Sequence, residues 1–388
     1  MASATSPPPR KIRLGMVGGG QGAFIGAVHR MAARLDDRYE LVAGALSSDP
    51  ERAAASAAEL HIAKDRSYAD YAQMAILESA RSDGIDAVSI VTPNHLHAPI
   101  ASAFLAAGIH VICDKPLAAN LNQANALLTK VQQSNCLFAL THNYSGYPMV
   151  RQARAMVAQG LLGEIRVVQA EYVQEWLSTP LELTGHKQAS WRLDPQQAGS
   201  GGSLGDIASH VEHLIRYITG LQLSEVCADL TSFVSGRQLD DNAHVMLRYT
   251  SGAKGMLWSS QVAPGNENNL KVRIYGSQAG LEFRQESPNE LWFTPLGLAT
   301  QRLTRGGSGV AEAATHATRI PAGHPEGYLE GFAQIYKDIA EQLQARFEGR
   351  QPNPLACTVP TVEDGLLGMR FIEAAVTSSK ANGSWVRV

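Results

Sequence analysis

The sequence is poor in cysteine. Its 388 residues include four, Cys113, Cys136, Cys227 and Cys357, each far from the others. No CxxC pair occurs, which argues against a zinc knuckle, and scattered single cysteines argue against the disulfide framework of a small secreted protein. This usage favours a reducing compartment, and we expect a cytoplasmic protein.

The sequence also lacks an excess of positive charge and a long apolar run. It has 33 Lys and Arg against 36 Asp and Glu, a net charge of -3, so no basic surface for nucleic acid or anionic lipid is expected. No stretch approaches the roughly 18 consecutive apolar residues of a membrane span. The first ten residues, MASATSPPPR, have no signal-peptide core, and we interpret residues 1–10 as a disordered tail.

The sequence does contain two regions that differ in the pattern of their apolar residues. Residues 11–142 alternate short Val- and Ile-rich runs with Ala-rich helical segments, the pattern of parallel strands joined by crossover helices. Residues 143–360 carry longer strands with period-two alternation, which is typical of an antiparallel sheet. Residues 361–388 have helix spacing followed by a short strand, and we expect them to pack back near the first region.

These patterns predict an α/β protein with two domains, because single cores seldom grow beyond roughly 250 to 300 residues. We expect an N-terminal Rossmann domain, a doubly wound parallel sheet that binds a dinucleotide. The C-terminal α+β domain should hold a large, mostly antiparallel open sheet for substrate binding and oligomerisation. We therefore expect a homodimer or homotetramer with a small-molecule substrate.

A glycine cluster follows the first predicted strand. Gly18-x-Gly20-x-x-Ala23 has the form of a dinucleotide fingerprint: a tight turn, close approach to a pyrophosphate, and near contact of helix and sheet. The helix N-terminus beyond it would offer N–H groups and a positive dipole end to the phosphates. Gly26 is a second candidate for the last small position, so the loop can be longer than the minimal fingerprint.

The end of the second predicted strand bears on the choice between NAD and NADP. Ser47 stands where an acidic residue would normally bind the ribose 2′-hydroxyl and repel a 2′-phosphate. Ser47, Ser48 and Arg52 are therefore candidates to hold a 2′-phosphate, while Asp49 is near enough in sequence to reach a ribose instead. The sequence leaves both cofactors open.

Further motifs resemble those of the Gfo/Idh/MocA oxidoreductases, and the resemblance covers nearly the whole chain. Thr92-Pro93-Asn94 and His97 precede Asp114-Lys115-Pro116, which matches the family's Glu-Lys-Pro with Asp in place of Glu. Farther on, the matching residues are Trp191, Arg192, Gly201, Gly202, Asp206 and His210, and the segment EDGLLGMRFIEAAVTSS resembles the family's last helix. One departure is the glycine loop, where Gly22-Ala23-Phe24 intervene before the family's Ile-Gly-x-x-His.

The resemblance assigns the chemistry to three residues. Lys115 would contact the substrate hydroxyl and take part in proton transfer, His210 would act as acid or base, and Asp206 would help to position the substrate. Two other interpretations exist: Asp206 can simply cap a helix, or it can bind a metal together with His210 and His213. We expect no metal, because this family uses a lysine as its electrophile.

The resemblance also implies the remaining contacts, with Asn94 and His97 near the nicotinamide ribose and Trp191 and Arg192 near the cofactor. His97 can instead be a packed residue of a helix, and so can His213. The residues expected at the cofactor are Gly18, Gly20, Ala23, Phe24, Ile25, Ser47, Ser48, Arg52, Thr92, Pro93, Asn94, His97, Asp114, Lys115, Asn143, Trp191 and Arg192. Those expected at the substrate are Lys115, Tyr147, Arg192, Asp206, His210 and His213.

Three functions are compatible with these motifs. The first is an NAD- or NADP-dependent dehydrogenase or reductase acting on a ring hydroxyl of a sugar or cyclitol, with Lys115 and His210 in proton transfer. The second is a redox-neutral glycosidase of the same fold, whose cofactor is returned to its starting state in each cycle. The third is a cofactor-sensing protein without catalysis, against which the retention of Lys115, Asp206 and His210 argues. Ser145 or Gly146 stands where relatives often carry an arginine, which favours a neutral polyol over a carboxylate.

Overall fold

The computed structural model of the chain describes residues 10–388. The tail expected at residues 1–10 therefore lies outside the described residues apart from Arg10. The guanidinium of Arg10 is placed, and it donates two hydrogen bonds, of 2.7 and 2.9 Å, to the Asp86 carboxylate.

A five-stranded parallel sheet occupies the first region. Its strands are Ile12–Gly18 (β1), Tyr39–Ala45 (β2), Ala87–Val91 (β3), His110–Cys113 (β4) and Phe138–Leu140 (β5), in the spatial order β2-β1-β3-β4-β5. The helices between them are Phe24–Leu35 (α1), Pro50–Glu59 (α2), Tyr71–Ser79 (α3), His97–Ala106 (α4) and Leu121–Gln133 (α5). The order reverses at β1, and the prediction of a doubly wound parallel sheet is confirmed.

A nine-stranded sheet forms the second layer. Its strands are Ile165–Val173 (β6), Leu223–Thr231 (β7), Asn242–Tyr249 (β8), Lys254–Ser260 (β9), Asn269–Gly276 (β10), Ala279–Arg284 (β11), Glu290–Pro295 (β12), Gln301–Thr304 (β13) and Val386–Arg387 (β14), in the order β13-β12-β11-β10-β6-β9-β8-β7-β14. All neighbours are antiparallel except β6 and β9. The predicted large, mostly antiparallel sheet is therefore confirmed.

Seven helices of residues 143–388 pack around and between the two sheets. They are Pro148–Ala158 (α6), Lys187–Arg192 (α7), Pro195–Ala198 (α8), Ser209–Thr219 (α9), Glu312–His316 (α10), Tyr328–Phe347 (α11) and Val362–Lys380 (α12). A π-helical turn, Leu204–Ala208, runs directly into α9. This turn and α9 pack against the second sheet, and the Asp206 side chain of the turn contacts Lys115, which follows β4 of the first sheet.

Helix α11 joins the first sheet to the rest of the chain. It packs against α1, and its buried residues Phe332 and Ile335 share one apolar core with Ile12 of β1 and Val28 of α1. The hydroxyl of Tyr39 also donates to the Tyr336 carbonyl at 2.8 Å. Although α11 falls within the predicted second domain, it completes the core of the first sheet.

The C-terminal segment contacts both layers. Helix α12 begins with a capping box, in which Thr361 and Asp364 satisfy each other's backbone N–H groups. It packs against α5 of the first layer and β7 of the second, and β14 then pairs with β7. Within residues 10–388, no helix combines the length and hydropathy that a membrane crossing requires.

Candidate active site

The glycine turn after β1 is shaped to bring backbone close to a ligand. Gly18 and Gly19 have φ of 80° and 72°, in the left-handed region that favours glycine. A Cβ on Gly20 would lie 2.7 Å from the carbonyl oxygen of Leu46, so no side chain fits there. These constraints explain the run of glycines as a requirement of the turn.

Of the two candidates for the small residue that lets helix and strand meet, Ala23 and Gly26, the backbone geometry favours Gly26. A Cβ on Gly26 would lie 2.3 Å from the Cα of Gly19, so α1 touches the turn at this point. Ala23 instead precedes the first helical residue, Phe24, and its N–H donates to the Gly20 carbonyl at 3.0 Å. The loop is thus longer than the minimal fingerprint by the three residues that the sequence suggested.

A cavity of about 470 Å³ lies beside this turn at the carboxyl ends of the parallel strands, where open α/β sheets place their ligands. Its volume is in the range of ordinary small-molecule sites, roughly 300 to 1,000 Å³. Fourteen of the residues expected at the cofactor line it: Gly18, Gly20, Ala23, Ile25, Ser47, Ser48, Arg52, Thr92, Pro93, Asn94, Asp114, Lys115, Trp191 and Arg192. We call this space the nucleotide cavity.

The far end of the nucleotide cavity is formed by the end of β2 and the start of α2. Ser47, Ser48 and Arg52 line it, and Asp49 does not. The Asp49 carboxylate caps α2, accepting from the Arg52 N–H at 2.8 Å, because an N-cap Asp satisfies one of the unpaired donors of the first turn. This edge therefore presents hydroxyls and a guanidinium to a ligand.

A second cavity, of about 660 Å³, opens from the same junction, and we call it the substrate cavity. It shares Ile25, Asp114, Lys115, Gln188, Arg192 and Asp206 with the nucleotide cavity. Three further predicted residues, Phe24, Asn143 and His210, line the substrate cavity and not the nucleotide cavity. The two spaces therefore meet at Lys115.

Lys115 is held at this meeting point by Asp206. Its Nζ donates to Oδ1 of Asp206 at 2.9 Å and to the Asp206 backbone carbonyl at 2.6 Å. Both side chains are mostly buried. An ammonium group has three donors, so two are used here and one is left for a ligand.

Asp206 is the centre of a larger set of contacts. Its Oδ2 accepts from Nε of Arg192 at 3.3 Å and from Nε2 of Gln261 at 2.9 Å. Burial by itself would raise the pKa of the Asp206 carboxyl, but the charges of Lys115 and Arg192 and the hydrogen bond from Lys115 bring that pKa well below its usual value. Asp206 is thus an ionised anchor for two cations, and it makes no helix cap.

Asp114, the residue before the lysine, is also ionised. Burial favours its neutral form, yet His29, whose Nε2 lies 3.7 Å from Oδ1, and the positive charge of Lys115 lower the pKa of the carboxyl overall. Its Oδ1 accepts from the Lys115 N–H at 3.0 Å and from the Thr141 hydroxyl at 2.9 Å. The carboxylate therefore fixes the backbone that carries Lys115.

His210 lies on α9, beside the substrate cavity, with 8% of its surface exposed. Burial lowers its pKa well below the ordinary 6.5, and the positive charge of Lys115 and the neighbouring His142 add to this. Its Nδ1 is buried without a hydrogen-bond partner in the described residues. The ring of Tyr144 packs edge-on against it at 5.0 Å between centroids. The imidazole is therefore neutral near physiological pH.

Three predicted site residues line neither cavity. His213 is buried one turn beyond His210, where it stacks on His142 at 4.1 Å between ring centroids, since α9 turns this side chain away from the cavity. Tyr147 is buried, and its hydroxyl accepts from Nε2 of Gln285 at 3.3 Å. His97 is also buried, and its nitrogens contact the carbonyls of Pro116 and Thr92 at 2.7 and 2.9 Å. These three pack within the protein.

The substrate cavity has a neutral polar wall that the sequence did not predict. Oδ1 of Asn268 accepts from the Tyr172 hydroxyl and from Nε2 of Gln174, both at 2.7 Å, and the indole N–H of Trp176 donates to Oε1 of Gln174 at 3.0 Å. Tyr172 and Gln174 are two residues apart along β6 and its extension, so their side chains share a face of the sheet. The alternation of side chains along β6 was the sequence signal that could have indicated this wall. The approach of Asn268 depends on the pairing of β6 with β10.

Residues 10–388 contain no group of three His, Cys, Asp or Glu side chains placed to hold a metal ion. Asp206 and His210 lie at the same cavity, but His213 does not join them. The cations that face Asp206 are side chains of Lys115 and Arg192.

Comparison with known proteins gives matches along both layers. Residues 12–142 match the oxidoreductase family with an NAD-binding Rossmann fold, and residues 150–282 match the GFO/IDH/MocA C-terminal domain. A solved oxidoreductase from Sinorhizobium meliloti is 52% identical, with a TM-score of 0.88, over 97% of this chain and 99% of that one.

Two further relatives carry more specific names. An inositol dehydrogenase homologue from Azotobacter vinelandii, solved in complex with NADH and myo-inositol, is 37% identical with a TM-score of 0.90 over 98% of each chain. Levoglucosan dehydrogenase of Pseudarthrobacter phenanthrenivorans is 29% identical over 98% of each sequence.

The family matches coincide with the architecture. The first covers the parallel sheet and most of the residues that line the nucleotide cavity, and the second begins in α6 and follows the antiparallel sheet as far as β11. The resemblance carried by the sequence motifs is thereby confirmed. The chain belongs to the Gfo/Idh/MocA family and is an NAD(P)-dependent oxidoreductase.

Proposed function

We propose that this enzyme transfers hydride between a nicotinamide cofactor and a ring hydroxyl or ketone of a sugar or cyclitol, with Lys115 and His210 moving the proton. The observation that carries the proposal is the position of Lys115. Its Nζ, fixed by Asp206 at 2.9 Å, stands where the nucleotide and substrate cavities meet. A hydroxyl that reacts beside a nicotinamide has to lie at this junction.

The residues present fit a dinucleotide. Gly18 and Gly20 leave the backbone open to a pyrophosphate, and the N-terminus of α1 directs its N–H groups to the same place. Arg52 and the two serines beside it would hold the adenosine ribose, and Asn94 would lie toward the nicotinamide. When bound, the nicotinamide supplies the acceptor for the hydride that leaves the alcohol carbon.

Lys115 acts on the substrate oxygen. With two donors engaged by Asp206, its third can bond the reacting hydroxyl and stabilise the negative charge that develops on that oxygen. The rigid hold of Asp206 on the ammonium group limits the reorganisation needed during the reaction.

His210 completes proton transfer. Its low pKa keeps the imidazole neutral, so it can accept the hydroxyl proton during oxidation and return it during reduction. Net oxidation releases this proton to solvent and net reduction takes one up, so the buried ring of His210 passes the proton between the substrate oxygen and water.

The substrate class follows from the other lining residues. Gln174 and Asn268 are neutral amides whose donors and acceptors suit several hydroxyl groups, as a sugar or cyclitol requires. Ser145 is buried and donates to the His142 carbonyl, so this position offers no cation to a carboxylate. The myo-inositol bound by the Azotobacter homologue and the levoglucosan in the name of the other relative support a neutral cyclic polyol.

We further propose that the adenosine end of the nucleotide cavity admits NADP as well as NAD. Ser47 and Ser48 are compatible with either ribose, and Arg52 is the cation available to a 2′-phosphate. Asp49 is occupied as the cap of α2. The two cofactors should therefore differ in their dependence on Arg52.

Cytoplasmic location and assembly complete the proposal. All four cysteines are free thiols, as a reducing compartment requires. Val167, Met246 and Met256 are half-exposed on the outer face of the second sheet, which supports a homodimer or homotetramer formed through that face. Light scattering after size exclusion would give the mass, and a monomer at micromolar concentration would contradict this part.

The proposed reaction is tested by a polyol panel. Purified enzyme is mixed with each cofactor and with cyclic and open-chain polyols, while the absorbance of the reduced nicotinamide is followed. Stoichiometric reduction of free cofactor by a cyclic polyol is the expected result. Release of an aglycone from a glycoside with no net reduction would instead indicate the redox-neutral glycosidase.

A further inference from the structure

We propose that Phe24 determines substrate specificity: its ring forms an apolar wall against which the C–H face of a cyclic polyol stacks. The inference rests on the proposed function and names one more residue of the same site. It also moves Phe24 from the cofactor, where the sequence placed it, to the substrate.

Phe24 lies on the substrate side of the junction between the two cavities. Phe24 lines the substrate cavity, together with Lys115 and His210, and it does not line the nucleotide cavity. The next residue, Ile25, lines both. The boundary between the two spaces thus falls at Ile25, and Phe24 stands on the substrate side of it.

The Phe24 ring is exposed and has no role in packing the core. Phe24 is 63% exposed, although α1 has a well-defined buried face that includes Gly26, Val28 and His29. The ring is therefore not needed for the core. Contact with a ligand accounts for a large apolar group exposed at the edge of a ligand cavity, whereas folding does not require it there.

The path of the glycine loop places the Phe24 side chain at the substrate cavity. Gly22 adopts φ of 76° in open space, and the Ala23 N–H closes the turn onto Gly20, so that α1 begins at Phe24. The extra residues of the loop thereby place an aromatic ring at the first position of the helix, in the cavity that Lys115 also lines. A loop with fewer residues would bring the helix directly out of the glycine turn.

The side chains of the substrate cavity complement the polar edge and the C–H faces of a cyclic polyol. A cyclic polyol has hydroxyl groups around its edge and two faces of C–H bonds. The amides of Gln174 and Asn268 suit the edge, and an aromatic ring suits a face. An open-chain polyol has no comparable flat face, so Phe24 should favour rings.

The test compares Phe24→Ala and Phe24→Tyr with wild-type enzyme, and uses Phe233→Ala as a control. Phe233 is 68% exposed on the loop after β7 and lines neither cavity. The dissociation constants of NADH and NADPH are measured by nucleotide fluorescence, and kcat and KM are measured with myo-inositol and with open-chain sorbitol.

We expect Phe24→Ala to raise KM for the cyclic polyol by about tenfold, with kcat changed less than about threefold, since burial of one apolar contact is worth roughly this much. Phe24→Tyr should restore the wild-type KM, and the control should change nothing. The dissociation constants of both cofactors should stay within about twofold.

A weaker cofactor affinity in Phe24→Ala would overturn the proposal and return the residue to the cofactor. An unchanged ratio of cyclic to open-chain KM would overturn it too. If wild-type enzyme reduces no cofactor with any polyol, the proposed function has failed, and the fluorescence titration still decides whether Phe24 touches the cofactor.

Discussion

Lys115 and Asp206 come from different layers of the protein, and 2.9 Å separates the lysine Nζ from the aspartate Oδ1. The lysine follows β4 of the parallel sheet, and the aspartate lies in the π-helical turn before α9. The proposed catalytic centre is thus assembled by the docking of the two sheets. Any change that separates them should disable proton transfer before it affects either cavity alone.

Removal of the Asp206 charge should slow turnover while the nucleotide stays bound. In Asp206→Asn, Lys115 and Arg192 lose a shared anion but the side chain keeps its size. We expect kcat to fall by about tenfold to a hundredfold, the value of a charge-assisted hydrogen bond. The NADH dissociation constant, measured by fluorescence, should change little. A variant with normal kcat would show that the ion pair does not position the lysine.

The pH dependence of oxidation should show an acid limb below the ordinary histidine pKa. Only neutral His210 can accept a proton, so kcat/KM falls when the pH drops through its pKa. Burial, the charge of Lys115 and the neighbouring His142 hold that pKa well below 6.5. A profile of kcat/KM from about pH 5 to pH 8 should therefore be flat down to pH 6.5. Loss of that limb in His210→Asn would identify its source, and a limb above pH 6.5 would contradict the assignment.

Substitutions after the end of β2 should change the preference of the enzyme between NAD and NADP. Arg52→Ala removes the cation proposed for a 2′-phosphate and should weaken NADPH binding by about tenfold or more, with NADH changed less than about threefold. Ser47→Asp should give the same pattern, because a carboxylate repels the phosphate. Equal loss of both cofactors in Arg52→Ala would mean that this arginine contacts a group common to both.

Two glycine substitutions should have effects of opposite sign. In Gly26→Ala the new methyl meets the Gly19 backbone at 2.3 Å, so we expect a loss of about 1–3 kcal/mol of unfolding free energy and weaker NADH binding. In Gly368→Ala, on α12, nothing lies within 4 Å, and the helix should gain about 0.5–1 kcal/mol. Urea unfolding of both variants measures the two changes in unfolding free energy. Changes of the same sign and size in both variants would contradict this prediction.

The sequence predicted the fold class and the residues at the junction because both rest on local patterns. The run after β4 and the segment around Asp206 are contiguous motifs, and the structure brings them to one point. The position of Gly26 was not decided, since the extra loop residues allowed two alignments. Only the path of the backbone shows which glycine touches α1.

Other details depend on tertiary structure. His213 was among the residues expected at the substrate, with a packed residue of a helix as the alternative, and in the structure it stacks on His142 inside the protein. Gln174 and Asn268 are separated by almost a hundred residues, and their hydrogen bond follows from strand pairing that no local pattern specifies. Long-range pairing of this kind explains why the polar wall was missed.

The central claim, that Lys115 acts on the substrate oxygen at the junction of the two cavities, is tested most directly by one comparison. Turnover of a cyclic polyol with free cofactor is measured for wild-type enzyme, for Lys115→Ala and for Lys130→Ala, which alters an exposed lysine of α5. The account predicts a loss of kcat of at least about a thousandfold in Lys115→Ala, no change in Lys130→Ala, and nearly unchanged NADH affinity in both. Full turnover by Lys115→Ala would contradict it.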